Sequence, residues 1–184
     1  MKKWNKSATY DVVFCALFAA LMAVCSWISI PAAVPFTLQT FAVFLSVALL
    51  GGKRGTIAVV VYVLLGAVGL PVFAGFTGGV GVLLSSVGGY ILGFIASALV
   101  MWAITSRFGD KRWTLLAAMI AGLFVCYLFG TAWFVVVYTR TKGAMSFWHA
   151  LSLCVLPFII PDLVKIALAL AITDRVKAHV KLPA

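Results

Sequence analysis

Asp162 and Lys165 are the residues of this chain best placed to do chemistry. Both are charged, and both lie in an apolar run, Ile159-Ile160-Pro161-Asp162-Leu163-Val164-Lys165. On a helix the i,i+3 spacing puts them on one face, close enough to interact. An ionised Asp only accepts hydrogen bonds and a Lys ammonium only donates them. The pair can therefore grip a small polar ligand, or it can pin one helix to its neighbours as a mutual ion pair. At mid-membrane, insertion scales put each such charge at about 2.5–3.5 kcal/mol. A cost of that size favours a binding role over a purely structural one.

No carboxylate cluster of the kind intramembrane hydrolases need accompanies them. Gln39, in Pro35-Phe36-Thr37-Leu38-Gln39-Thr40, and Tyr90, in Gly88-Gly89-Tyr90, fall near the ends of apolar runs, where each could line a site or anchor at an interface. The segment from Gly69 to Gly81 holds Phe73, Gly75, Gly78 and Gly79 and is too apolar for an ordinary solvent loop. It is either a packed external loop or a ligand cover, since glycines allow close backbone approach. No Lys-Ser or Lys-Thr follows at P-loop spacing, and HExxH and GxSxG are absent too. Any ATP that drives this chain must be handled by another one. Cys15, Cys25, Cys126 and Cys154 show no paired spacing and read as small buried hydrophobes rather than metal ligands or disulfides.

The elements that hold these residues are set by composition. Apolar residues make up 65% of the 184 positions and charged ones 10%, whereas a soluble domain is nearer half and a quarter. Hydrocarbon as solvent accounts for that balance. A net charge of +10 would suit nucleic acid in a soluble chain, but no basic face interleaved with aromatics is present. The expected fold is an all-α membrane protein of about six transmembrane helices in one bundle, a single domain over residues 1–184. The candidate spans are Thr9 to Ile30, Phe36 to Leu50, Gly55 to Leu70, Val87 to Thr105, Trp113 to Tyr138 and Phe147 to Thr173. The last carries Pro157 and Pro161 and reads as a short interfacial helix followed by a span starting near Pro161.

Lys and Arg give the orientation. With six spans and the N-terminus inside, eleven fall inside: Lys2, Lys3, Lys6, Lys53, Arg54, Arg107, Lys111, Arg112, Arg175, Lys177 and Lys181. Only Arg140 and Lys142 fall outside, and Lys165 lies within the last segment. The positive-inside rule then places both termini in the cytoplasm. It puts the Pro31 to Pro35 turn, the Gly69 to Gly89 segment and the stretch around Arg140 to Phe147 on the outer side. In the first span, Ala16, Ala19, Ala20 and Ala23 form overlapping small-xxx-small pairs, suited to close packing within the bundle or against a partner helix.

The ordered set Pro35-Phe36-Thr37-Leu38-Gln39-Thr40, Gly52-Lys53-Arg54-Gly55, Gly66-Ala67-Val68-Gly69-Leu70-Pro71-Val72-Phe73-Ala74-Gly75, Gly88-Gly89-Tyr90-Ile91-Leu92-Gly93-Phe94 and Asp162-Leu163-Val164-Lys165 resembles the BioY family. These are the biotin-specific S components of energy-coupling-factor (ECF) transporters. The likeness runs along nearly the whole chain, with one departure: Ile160-Pro161-Asp162 stands where many members read Pro-Gly-Asp. The resemblance implies six transmembrane helices in the cell membrane and no catalytic residue, metal or cofactor. It implies biotin as transported ligand, with a transmembrane coupling subunit and two cytoplasmic ATPases as partners. The residues expected at the biotin site are Asp162, Lys165, Gln39, Tyr90, Phe73, Gly75, Gly78 and Gly79. Those expected to dock the coupling subunit are Ala16, Ala19, Ala20 and Ala23. An S component for another vitamin, a small intramembrane enzyme using Asp162, and an assembly subunit are the rival readings.

Overall fold

The structure is a computed structural model that describes residues 6–32 and 34–179. Lys2, Lys3 and Lys181 of the charge count lie outside the described residues. Helix α1 (Lys6–Trp27) leads into a two-residue hairpin of β1 (Ser29–Ile30) and β2 (Phe36–Thr37), paired antiparallel with Ser29 opposite Thr37. Then come α2 (Gln39–Leu50), α3 (Gly52–Ala67), a 3-10 turn (Ala74–Phe76), α4 (Val80–Leu84), α5 (Gly88–Phe108), α6 (Arg112–Lys142), α7 (Phe147–Cys154) and α8 (Leu156–His179).

Among the described residues, four helical stretches are long and apolar enough to cross a membrane: Thr9–Trp27, Gly88–Phe108, Arg112–Thr141 and Leu156–His179. Helices α2 and α3 have 12 and 16 residues. At 1.5 Å per residue they reach only about 18 and 24 Å, against a hydrocarbon core of about 30 Å. They are the two expected spans that are short. Helices α5 and α6 pack against each other along their lengths, α2 packs against α8 and α3, and α1 lies on α3. Exposed Val12, Leu17, Leu64, Phe124, Leu128 and Leu168 give the bundle an apolar exterior, the surface a helix needs when its solvent is lipid.

The final segment breaks differently from its sequence expectation. Non-helical Val155 ends α7, and α8 then runs unbroken through Pro161 to His179. Pro157 occupies the first turn of α8, where no intrahelical N–H bond is lost, so the break falls before this proline. Pro161 is tolerated inside the helix four residues later. The Gly69 to Gly89 segment is ordered as well, containing the 3-10 turn and α4.

All four Asp residues pair with a base. Asp11 meets Arg54 at 2.8 Å, Asp110 meets Lys177 at 2.5 Å, Asp174 meets Arg112 at 3.5 Å and Asp162 meets Lys165 at 2.7 Å. Lys177 beside Asp110 holds that carboxyl below the usual carboxylate range. The first three pairs tie the starts of α1 and α3, and the α5–α6 junction and the end of α8. Gly51 and Gly52 share a depression with Thr105, Gly109 and Asp110. The basic clusters at Lys53-Arg54, Lys111-Arg112 and Arg175-Lys177 thus gather at one end of the bundle, and the fourth pair lies away from it.

Candidate functional site

One turn of α8 presents Asp162 and Lys165 to the interior, where they are 2% and 4% exposed. The Lys165 Nζ donates to Asp162 Oδ1 at 2.7 Å, to the Thr37 carbonyl at 2.6 Å and to Thr40 Oγ1 at 3.2 Å. It also sits 4.3 Å from the centre of the Phe36 ring, an attractive arrangement for a desolvated cation. Asp162 is held from two further directions. Thr40 donates to Oδ1 at 2.9 Å, and Tyr127 of α6 donates to Oδ2 at 2.5 Å. A buried charge pair is tolerable when its remaining donors and acceptors are satisfied, and three helices cooperate to satisfy this one.

A second network holds the neighbouring wall. Gln39 accepts from Thr37 Oγ1 at 2.9 Å and donates from Nε2 to Tyr62 Oη at 2.5 Å. The Tyr62 hydroxyl in turn donates to the Val72 carbonyl at 2.9 Å, to which Ser26 Oγ also donates at 2.6 Å. Trp27 Nε1 donates to the Pro71 carbonyl at 2.9 Å, and its ring stacks on Phe76 at 5.0 Å. The end of α1 therefore fastens the 71–76 segment over the bundle. Beneath it, Phe73 packs edge-on to Tyr62 and lies on Gly66, where any Cβ would strike its ring. Gly66 is needed for that approach. On the opposite wall Tyr90 shares a 2.9 Å hydrogen bond with Thr131, and its ring covers Gly130.

These walls enclose a cavity of about 100 Å³. Asp162, Lys165, Gln39, Tyr90 and Phe73 all line it, together with Thr40, Tyr127, Thr77 and Phe158. Gly75, Gly78 and Gly79 are not in its wall. Their work is conformational: Gly75 and Gly79 take φ of 68° and 96°, a region open chiefly to glycine, and so carry Ala74 and Thr77 to the cavity in their place. Thr40 and Tyr127 line the cavity and bond Asp162, and motif reasoning passes over both. The one available signal for Tyr127 is a hydroxyl in the middle of an apolar span.

The alanine stripe divides. Ala19 and Ala23 are 2% and 6% exposed, buried where α1 lies on α3, whereas Ala16 and Ala20 face outward. Ala19 and Ala23 are spent on internal packing, so a docking role for the stripe narrows to Ala16 and Ala20. Ala16 also lines an open groove of about 690 Å³ between α1 and the α2–α3 junction.

Fold and cavity together define a small helical membrane protein with a charged pocket buried among its helices. The BioY family model matches residues 1–182, and the chain belongs to the BioY family. It is 43% identical over 168 residues to a biotin transporter BioY of Thermotoga maritima, covering 91% of this chain and 95% of that one. It is 39% identical over 170 residues to a probable biotin transporter BioY of Pyrococcus horikoshii, covering 92% and 97%. Among solved structures, the S component for biotin from an ECF-type ABC transporter superposes with a TM-score of 0.85. That match covers 96% of this chain and 95% of the other at 22% identity, a likeness of fold.

Proposed function

We propose that this chain is the S component of an ECF transporter and captures biotin for uptake into the cell. The observation that carries the reading is the Asp162–Lys165 pair, buried in an apolar-walled cavity of a chain 43% identical to a biotin transporter. Biotin offers two ureido N–H donors, a ureido carbonyl, an apolar fused ring and a carboxylate tail. The ionised Asp162 suits the ureido donors, and Phe73 and Phe158 supply apolar wall for the ring. Ligand pockets usually span about 300–1,000 Å³, so a cavity of about 100 Å³ must widen to admit biotin. The 71–79 segment is the part to move, since beyond the seat of Phe73 it is held by a few hydrogen bonds, from Ser26, Trp27 and Tyr62 to its carbonyls and from the Gly79 N–H to the Gly66 carbonyl.

In this reading the chain crosses the cell membrane six times as one domain, with both termini cytoplasmic. Gathering of the basic clusters at one end supports that topology, as the positive-inside rule requires. A transmembrane coupling subunit docks on Ala16 and Ala20, and two cytoplasmic ATPases drive the cycle. Biotin is cargo, and neither a cofactor nor nucleic acid takes part. The deciding experiment is mass spectrometry of the detergent-purified protein for retained biotin, followed by competition of labelled biotin with other vitamins. Biotin alone should compete; displacement by a different vitamin at lower concentration would reassign the substrate.

A further inference from the structure

Tyr62 is fully buried and does not line the cavity. It nevertheless joins Gln39, which does, to Val72, the residue before Phe73. The direction of every bond in this network follows from its last acceptor. The Val72 carbonyl has no proton, so the Tyr62 hydroxyl must commit its single proton there, at 2.9 Å. That hydroxyl can then only accept from Gln39. The amide therefore turns its NH2 to Tyr62 and its oxygen to the Thr37 hydroxyl. Thr37 in turn offers its backbone carbonyl to Lys165. One chain of donors, Thr37 to Gln39 to Tyr62 to Val72, thus runs from the charged pair to the 71–79 segment.

Ser26 is no substitute for Tyr62 at Val72. Its one proton is shared with the Ala23 carbonyl, at 2.7 Å against 2.6 Å for Val72. Nor can Thr37 orient Gln39 by itself, because a hydroxyl both donates and accepts and would tolerate either face of the amide. Bonds arranged head to tail in a buried site also polarise one another, so such a chain acts as a unit.

We propose that Tyr62 is a positioning residue for ligand capture. Its hydroxyl fixes the Gln39 amide in one orientation and, through the Val72 carbonyl, holds Phe73 in the cavity wall. The proposal rests on the biotin reading above and adds a residue that acts on the site from behind its lining.

The test is biotin binding kinetics and thermal melting of the full chain in detergent, for Tyr62→Phe, Gln39→Leu and the double variant. Tyr62→Phe keeps the ring against Phe73 and deprives a buried N–H and a buried carbonyl of a partner. It should release biotin about tenfold faster or more, with association within about threefold of wild type. The double variant removes both ends of the Gln39–Tyr62 bond, so it should melt nearer to wild type than Tyr62→Phe does. Its affinity should stay low, within about threefold of the weaker single variant. Recovery of affinity together with melting temperature in the double variant would assign Tyr62 to packing alone and overturn the proposal. Single losses that multiply in the double variant would overturn it too, since the two residues would then act separately. So would release from Tyr62→Phe within about twofold of the wild-type rate. Should Tyr62→Phe not fold, the double variant is compared with Gln39→Leu: matching affinities support the chain, and a further loss of about tenfold or more overturns it. Failure of the wild-type chain to bind biotin would instead sink the parent reading, and this one with it.

Discussion

Lys165 Nζ lies 2.6 Å from the Thr37 carbonyl oxygen, as close as it lies to the carboxylate of Asp162 on its own helix, at 2.7 Å. One ammonium thus joins α8 to the hairpin that leads into α2, and does so at the cavity. The pair lines the candidate site and is part of the packing at once. Its removal should register in both affinity and stability.

Breaking the pair from one side leaves the other charge buried and alone, at a cost of about 2–5 kcal/mol. Asp162→Asn and Lys165→Ala should each lose most biotin affinity, measured by equilibrium binding, while both proteins still insert. Because the two groups interact directly, the double variant should lose less than the sum of the single losses. Unchanged affinity in both single variants would remove the pair from the site.

Tyr127 tests whether Asp162 must be held from behind. Its hydroxyl is a donor to a charged acceptor, and such bonds contribute about 1.5–3 kcal/mol. Tyr127→Phe keeps the ring and deletes that bond, so biotin binding by calorimetry should weaken by roughly tenfold or more. Wild-type affinity in Tyr127→Phe would assign the hydroxyl to packing alone.

Gly66 tests the seat of Phe73. A Cβ there falls on the Phe73 ring, so Gly66→Ala should push Phe73 from its place and lower biotin affinity. Thermal stability should fall by only about 1–3 kcal/mol, the usual cost of overpacking. Normal affinity with normal stability would mean that the ring has room to shift.

Topology is open to labelling in intact cells on a background without native Cys. Thr77 is exposed on the 71–79 segment, so Thr77→Cys should react with an impermeant maleimide from outside, whereas a Cys at Lys53 should react only after lysis. Reaction of the two in the opposite order would invert the proposed orientation.

The alanine stripe gives a split outcome. Ala19 and Ala23 are buried, so Leu at either should destabilise the bundle and impair binding and uptake together. Ala16 and Ala20 face outward. Ala16→Leu and Ala20→Leu should abolish ATP-driven uptake with the coupling module and leave biotin binding by the isolated chain intact. Full uptake by both outward variants would count against docking on this face of α1.

Much of this was legible in the sequence by itself. Composition decides the solvent, because a chain 65% apolar has no polar surface to present to water, and that property is a sum over residues that needs no fold. The Asp162–Lys165 pair is legible for a related reason: a charge among apolar neighbours is costly wherever the helix goes, and its partner is three residues away. Tertiary structure alone decided the rest. Thr40 and Asp162 are 122 residues apart in sequence, and Tyr127 meets Asp162 from a different helix. Which alanines face inward depends on the rotation of α1 against α3, and a small-residue stripe reads the same from either side. Phe73 enters the cavity and Gly75 does not because of backbone angles set by the loop's anchors on Ser26, Trp27 and Tyr62. Local pattern fixes what a residue needs around it, and only the packed bundle determines which distant residue supplies it.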